Sequence, residues 1–192
     1  MPLRKQWYEI IAPKMFGEKA VGETLASDPK QLVGRTIEVS LMELSRDFSR
    51  FYIKLLFQIT EVNGQKAYTK FVGHDTMYER VYRMIQRHTR RVDAIQDVTT
   101  KDKVNVRVKT VFTLLRRVNT SLKIDARSLA REIIEKAAKE NTFEDFINMI
   151  IKGELQQVIR KDCGKIYPVG NIEIRKTEIL EQKAKTGQAI RQ

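Results

Sequence analysis

The chain has 192 residues, 42% of them hydrophobic and 8% aromatic, enough to bury a real core as one domain or a compact pair. Lys and Arg number 36 against 24 Asp and Glu, and the net +12 points to nucleic acid first and an anionic membrane second. Cys163 stands alone, which excludes an internal disulfide and a cysteine-rich zinc site. No run of about 18 apolar residues is present, so no helix is expected to cross a bilayer. No apolar signal core precedes Glu9, so a cytoplasmic protein is expected.

Residues 1–33 hold Pro2, Pro13, Pro29, Gly17, Gly22 and the only tryptophan, Trp7, with no sustained helix or strand period. They read as an irregular N-terminal arm. Its apolar residues either fold back on their own domain or wedge into a larger assembly, with Lys5, Lys14 and Lys19 near phosphate. From Gly34 the period becomes two: Ile37, Val39 and Leu41 predict a half-buried strand. Phe51, Ile53, Leu55, Phe57 and Ile59 predict another, and Asn63-Gly64 supplies a type I′ turn into Ala67–Val72.

Between Asp75 and Ala94, Met77, Val81, Met84, Ile85, His88 and Val92 recur at three- and four-residue steps and predict one amphipathic helix. Arg80, Arg83, Arg87 and Arg90 recur at the same steps, with Arg91 beside them. Such a row is either a solvated helix face or a grip on phosphate, for which guanidinium is the best-matched side chain. Only Glu79 and Asp93, at the ends, balance it, and that favours a polyanion.

Ile95–Thr100 and Val104–Val118 predict strands, the second with Arg107, Lys109, Thr113 and Arg117 on its outer face, either a phosphate platform or an ordinary edge. Helices follow: Asp125 to about Lys139 with Leu129, Ile133 and Ala137 inward, one capped by Thr142 and stopped by Gly153, and Glu154–Cys163. Asn171–Leu180 predicts a closing strand, and residues 181–192 a polar tail. The expectation is one α+β RNA-binding domain over residues 34–180, a mostly antiparallel, barrel-like curved sheet with packed helices.

Catalytic and metal chemistry find little to use. His74 and His88 lack metal-ligand spacing, and Gly73-His74-Asp75 reads as a helix-entry turn rather than a general base. Cys163 reads as packed despite basic neighbours. Asp93, Asp97 and Asp102 are too scattered to share a metal. No nucleotide-binding loop occurs, so no cofactor and no small-molecule substrate is expected. Arg116-Arg117, Arg160-Lys161 and Arg175-Lys176 extend the basic clusters, and no base-reading motif accompanies them.

Trp7-Tyr8, Ala12-Pro13, Val21–Leu25, Gly34–Leu41, Phe71–Asp75, Asp97–Asp102, Lys161–Pro168 and Arg175-Lys176, in this order, carry a resemblance over nearly the whole chain. The chain resembles the archaeal and eukaryotic small-subunit ribosomal protein family called S-three-A-e or S-one-e, in its archaeal form. The resemblance implies a non-enzymatic constituent of the small ribosomal subunit, a ribonucleoprotein serving translation in the cytoplasm. It implies a position on the subunit platform near the mRNA exit, with small-subunit rRNA, neighbouring platform proteins and mRNA as partners and no membrane. From spacing alone, Lys5, Trp7, Lys14, Arg80, Arg83, Arg87, Arg90, Arg91, Arg116, Arg117, Arg175 and Lys176 are the expected RNA contacts. The rival readings are a free-standing single-stranded nucleic-acid-binding barrel, with aromatic rings to stack bases, and a metal-dependent nuclease using Asp93 or His74.

Overall fold

A computed structural model of the chain describes residues 5–45 and 47–180. In chain order the elements are β1 (Gln6–Ile11), β2 (Ala20–Ala26), β3 (Thr36–Ser40), α1 (Leu41–Ser45), β4 (Ile53–Asn63), β5 (Lys66–Thr76), α2 (Tyr78–Met84), β6 (Arg90–Thr99), β7 (Asn105–Leu114), α3 (Thr120–Glu140), α4 (Phe143–Lys152), α5 (Glu154–Cys163) and β8 (Val169–Ile179). The expected tail lies outside the described residues.

All eight strands form one sheet around β5. β4 pairs with one edge of β5 from Lys66 to Thr76. The opposite edge is shared: β1 joins in parallel at Lys66–Tyr68, and β8 joins antiparallel at Gly73–Asp75. From β8 the sheet continues through β7 to β6, from β1 to β2, and from β4 to β3. The hairpin expectation holds, with one refinement. Asn63 still pairs with Lys66, and only Gly64 takes a positive φ of 61°, the feature of a type II′ turn rather than type I′.

The α+β class and the mostly antiparallel pairing stand, but the barrel expectation is corrected to an open sheet. β3 is only five residues long, and α3 occupies the outer edge of β6. There Gln96 Nε2 donates to the Arg131 carbonyl at 3.1 Å, and Arg131 donates back to the Ile95 carbonyl at 3.2 Å.

The irregular arm is corrected as well. β1 and β2 pair from Gln6↔Ala26 to Ile11↔Ala20, and Tyr8, Ile10, Ile11, Ala12 and Leu32 are buried. Pro13 immediately precedes, and Pro29 opens, the single 3-10 turns after each strand, so they punctuate the segment without breaking its strands.

The main core lies between the sheet and α3, α4 and α5, with Leu55, Phe57, Phe112, Leu114, Phe146, Ile147 and Ile159 fully enclosed. α3 begins at Thr120, earlier than expected, and turns Ala126, Ala130, Ile134 and Ala138 inward, leaving Leu129, Ile133 and Ala137 half-buried. Small residues on that stripe let α3 lie close against β6. Successive residues of a strand face opposite ways, so Val111 of β7 points away from Phe112. There it meets Val81 and Met84 of α2.

The expected helix over 75–94 is the largest correction. β5 runs on through His74, Asp75 and Thr76, α2 spans only Tyr78–Met84, and β6 has begun by Arg90. The turn between them puts His88 in the left-handed region, φ 66°, and leaves it exposed rather than packed. Val92, Ala94 and Val98 are buried by strand alternation.

Candidate nucleic-acid interface

Breaking the long helix dismantles the expected row of arginines and regroups its members. Arg80, on α2, is spent on the fold. Its Nε donates to Glu173 Oε1 at 2.8 Å, and its guanidinium lies over the Tyr52 ring, 4.7 Å from the centroid. Burial raises the Glu173 carboxyl pKa although Arg80 pulls it down. Burial is the largest influence on the Arg80 charge and works against it, but the hydrogen bond to Glu173, the Glu173 charge and the Tyr52 contact together outweigh it and hold that pKa up. Since guanidinium does not lose its proton in proteins, Glu173 is the member whose ionisation governs the pair.

Other expected contacts are also tied down. Arg91 chelates Asp93 with bonds of 2.7–3.1 Å. Lys176 pairs with Glu178 at 2.7 Å, and Lys109 reaches the same carboxylate at 3.0 Å. These two lysines hold Glu178 below the usual carboxylate range through hydrogen bonds that outweigh its partial burial. Arg107 binds Asp97 through two bonds of 2.7 and 2.8 Å, and that contact lowers the Asp97 pKa. The expected basic face of β7 is therefore largely neutralised. Arg175 lies over the Tyr78 ring at 4.6 Å and donates to its hydroxyl at 2.7 Å.

Several cations are left without a hydrogen bond or ion pair among the described residues: Arg83 on α2, Arg87 in the following turn, Arg90 at the start of β6, and Arg116 and Arg117 after β7. The structure brings Arg90, Arg91 and Arg117 together with Lys123 around one open cleft of 450 Å³, completed by Ile85 and Thr89. The buried Nε of Arg90 has no acceptor among the described residues. Lys123 sits in the first turn of α3, where Asn119 makes no side-chain cap and no acid is present. A cation there opposes the helix dipole, and the uncapped N–H groups and the charge together suit an anion. Sequence reasoning missed Lys123 because it started that helix at Asp125. Lys5, Trp7 and Lys14 stand elsewhere, exposed on or beside β1, with Trp7 61% accessible.

The alternative chemistries dissolve in the interior. His74 is buried in β5: its ring meets Thr177 Oγ1 at 2.7 Å through Nδ1 and the Ile174 carbonyl at 2.9 Å through Nε2. A carbonyl only accepts, so Nε2 carries the proton and the Thr177 hydroxyl donates to Nδ1. The reading of Gly73-His74-Asp75 as a helix-entry turn is thus corrected to strand. Gly73 is required there, since a Cβ would lie 2.1 Å from the Thr177 carbonyl oxygen. Cys163 is buried, and burial pushes its thiol pKa up to about 11, which keeps it neutral and unreactive. Asp93 and Asp97 are held by arginines, and Asp102 accepts the Phe143 N–H at 2.9 Å at the start of α4. Among the described residues no group of three or more His, Cys, Asp or Glu could hold a metal.

Fold and surface together define a class: a basic α+β protein with a cation-lined cleft. A family model described as the ribosomal S3Ae family matches residues 3–183. The chain is 42% identical over 176 residues to small ribosomal subunit protein eS1 of Methanothrix thermoacetophila, covering 92% of this chain and 83% of that protein. It is 39% identical over 186 residues to small ribosomal subunit protein eS1 of Saccharolobus islandicus, covering 97% of this chain and 89% of that protein. The chain belongs to the ribosomal S3Ae family, a family of ribosomal structural proteins and not of enzymes.

Proposed function

We propose that the protein is a structural constituent of the small ribosomal subunit in the cytoplasm, and that it holds rRNA phosphates through the cleft where Arg90, Arg117 and Lys123 stand beside the Arg91–Asp93 bridge. Arg83, Arg87 and Arg116 extend this surface. The observation that carries the reading is the gathering of Arg90, Arg117 and Lys123, unpaired among the described residues, from β6, the loop after β7 and α3 around one cleft whose fourth cation, Arg91, is held by Asp93. Unpaired guanidinium and ammonium groups gathered this way repel one another unless a polyanion joins them, and phosphate accepts from both. Lys5, Trp7 and Lys14 near β1 would form a second, smaller contact. In the finer part of the proposal the protein sits on the subunit platform near the mRNA exit, beside neighbouring platform proteins, as the family resemblance implies.

Binding to small-subunit rRNA is to be measured across a salt series for the full chain and for Arg117→Glu with Lys123→Glu. The expected result is a steep fall in affinity with salt for the natural chain. In the variant the slope of log affinity against log salt is expected to be smaller by about two, one per lost phosphate contact. An unchanged slope removes the cleft from the interface. Co-sedimentation with small subunits on a sucrose gradient tests the assembly itself, and recovery of the chain only at the top of the gradient overturns it. The free-standing barrel reading has less to rest on, because the sheet is open.

A further inference from the structure

A second surface, on the far side of α2 from its apolar contacts, is built differently from the cleft. The single 3-10 turn Phe48–Arg50 and the residues after it lead into β4. This turn is pinned because Arg50 donates to the Ile151 and Lys152 carbonyls, at 2.7 and 3.1 Å, at the end of α4. Phe51, 52% accessible, stands edge-on to Tyr52 with ring centroids 6.0 Å apart. Between this segment and α2 lies a pocket of 280 Å³ lined by Ser49, Phe51, Tyr52, Met77, Glu79, Arg80 and Arg83. Its size is near the lower end for small-ligand sites, about 300 Å³.

Three features of the pocket bear on its occupant. Phe51 keeps about half its surface in water although it sits on a pinned turn, so a flat aromatic partner could stack there without reorganising the fold. Arg80 is immobilised by Glu173 and Tyr52 and contributes a fixed positive wall. Glu79 and Arg83 are spaced i, i+4, the geometry of a helical ion pair, yet neither makes an ion pair or hydrogen bond among the described residues. Both line the pocket with their bonding capacity unspent: one acceptor and one phosphate-matched donor.

The geometry points to a site for one unpaired base of a single-stranded RNA segment, stacked on Phe51, with its exocyclic amino group donating to the Glu79 carboxylate and an adjoining phosphate held by Arg83. An acid at such a site favours a base with an amino donor, as cytosine N4 is favoured by carboxylates. This deepens the RNA-binding reading above; of the residues it uses, only Arg83 belongs to the surface proposed to extend the basic cleft.

The test uses the full chain with short fluorescein-labelled oligocytidylate and oligouridylate, read by fluorescence anisotropy. Oligocytidylate is expected to bind more tightly. Phe51→Ala should weaken both by about 5- to 150-fold, the effect of losing one stacked base, with the thermal melt still cooperative because about half of the ring is in water. Glu79→Met should erase the preference for cytosine. Unchanged oligocytidylate binding by Phe51→Ala overturns the site, and a preference that survives Glu79→Met overturns the role of the carboxylate. Arg117→Glu with Lys123→Glu serves as the independent arm. If it leaves rRNA affinity intact while Phe51→Ala still acts on the oligonucleotides, the cleft reading fails and this site stands.

Discussion

Burial holds the His74 imidazole below the usual histidine pKa, with the Ile174 carbonyl and the Asp75 charge only partly offsetting it. In the folded protein the ring is neutral and donates through Nε2. When the chain unfolds, the ring returns to a pKa of about 6.5 and takes up a proton below that value. Between the unfolded and folded pKa values the unfolded state therefore binds more protons, and stability falls as pH drops. His74 contributes no penalty above about pH 6.5, and its penalty grows as pH falls from there toward the depressed folded value. Urea denaturation at pH 7.5 and pH 5.5 should show lower stability at the acid value, with the difference reduced in His74→Gln, whose amide can still donate to Ile174. An identical pH dependence in the variant would mean that other groups titrate in that window. His74 also shows why some chemistry was illegible in the sequence. His74 beside Asp75 has the spelling of a base and its carboxylate, and only the pairing of β5 with β8 shows the ring sealed against Thr177 and Ile174.

The segment from Tyr78 to Thr99 marks where reading by period succeeds and where it fails. Alternation in β4 and β5, with Gly64 at the turn, was legible because every second residue from Ile53 to Ile59 is buried and large. The Thr142 cap and the Gly153 stop of α4 were legible for local reasons too: Thr142 accepts the Asp145 N–H, and Gly153 has φ 83°. The helix over 75–94 was not, because Val81, Met84 and Ile85 satisfy a helical step while Val92, Ala94 and Val98 satisfy a strand step, and His88 disguises the turn between them. The arginines followed the error, so the cleft could be found only piecemeal. Arg90, Arg91 and Arg117 were named without the fold that joins them, and Lys123 was passed over. At the scale of this element, α2 is anchored by Val81 and Met84, each worth about 1.5–3 kcal/mol when buried, and by the Arg80–Glu173 bridge. Arg80→Met leaves the Glu173 carboxylate enclosed without its partner and should cost about 1–3 kcal/mol. The figure belongs toward the lower end because the Arg80 side chain is 44% accessible. Arg80→Met with Glu173→Met should recover most of that loss in a denaturation midpoint. A single variant as stable as the natural chain would show that Arg80 is free to serve RNA after all.

For the whole molecule, the decisive feature is that β5 takes partners from both ends of the chain on a single edge, β1 near Lys66–Tyr68 and β8 near Gly73–Asp75. Residues 5–33 are thus part of the sheet rather than an appendage to it. Tyr8, Ala26, Leu32, Ile59 and Ala67 form a small core of their own under β1 and β2, while Ile10, Ile11 and Ala12 are buried nearby. Removing residues 1–33 would withdraw Tyr8, Ile10, Ile11 and Leu32 at roughly 1.5–3 kcal/mol each, a sum of the same order as the whole stability of a typical domain, about 5–15 kcal/mol. It would also bare Ile59, Ala67 and part of the β5 edge, an open template for strand pairing. A chain beginning at Gly34 is therefore expected to lose cooperative thermal unfolding and to aggregate even in the absence of RNA. By contrast, Lys5→Glu with Lys14→Glu, at two exposed positions, should melt like the natural chain and weaken only rRNA binding. Circular dichroism melts of both proteins separate the possibilities. A truncated chain that stays soluble and melts cooperatively within a few degrees of the natural one would show that the domain does not need residues 1–33, and would mean that the sheet from β3 through β6 closes its core without β1 and β2.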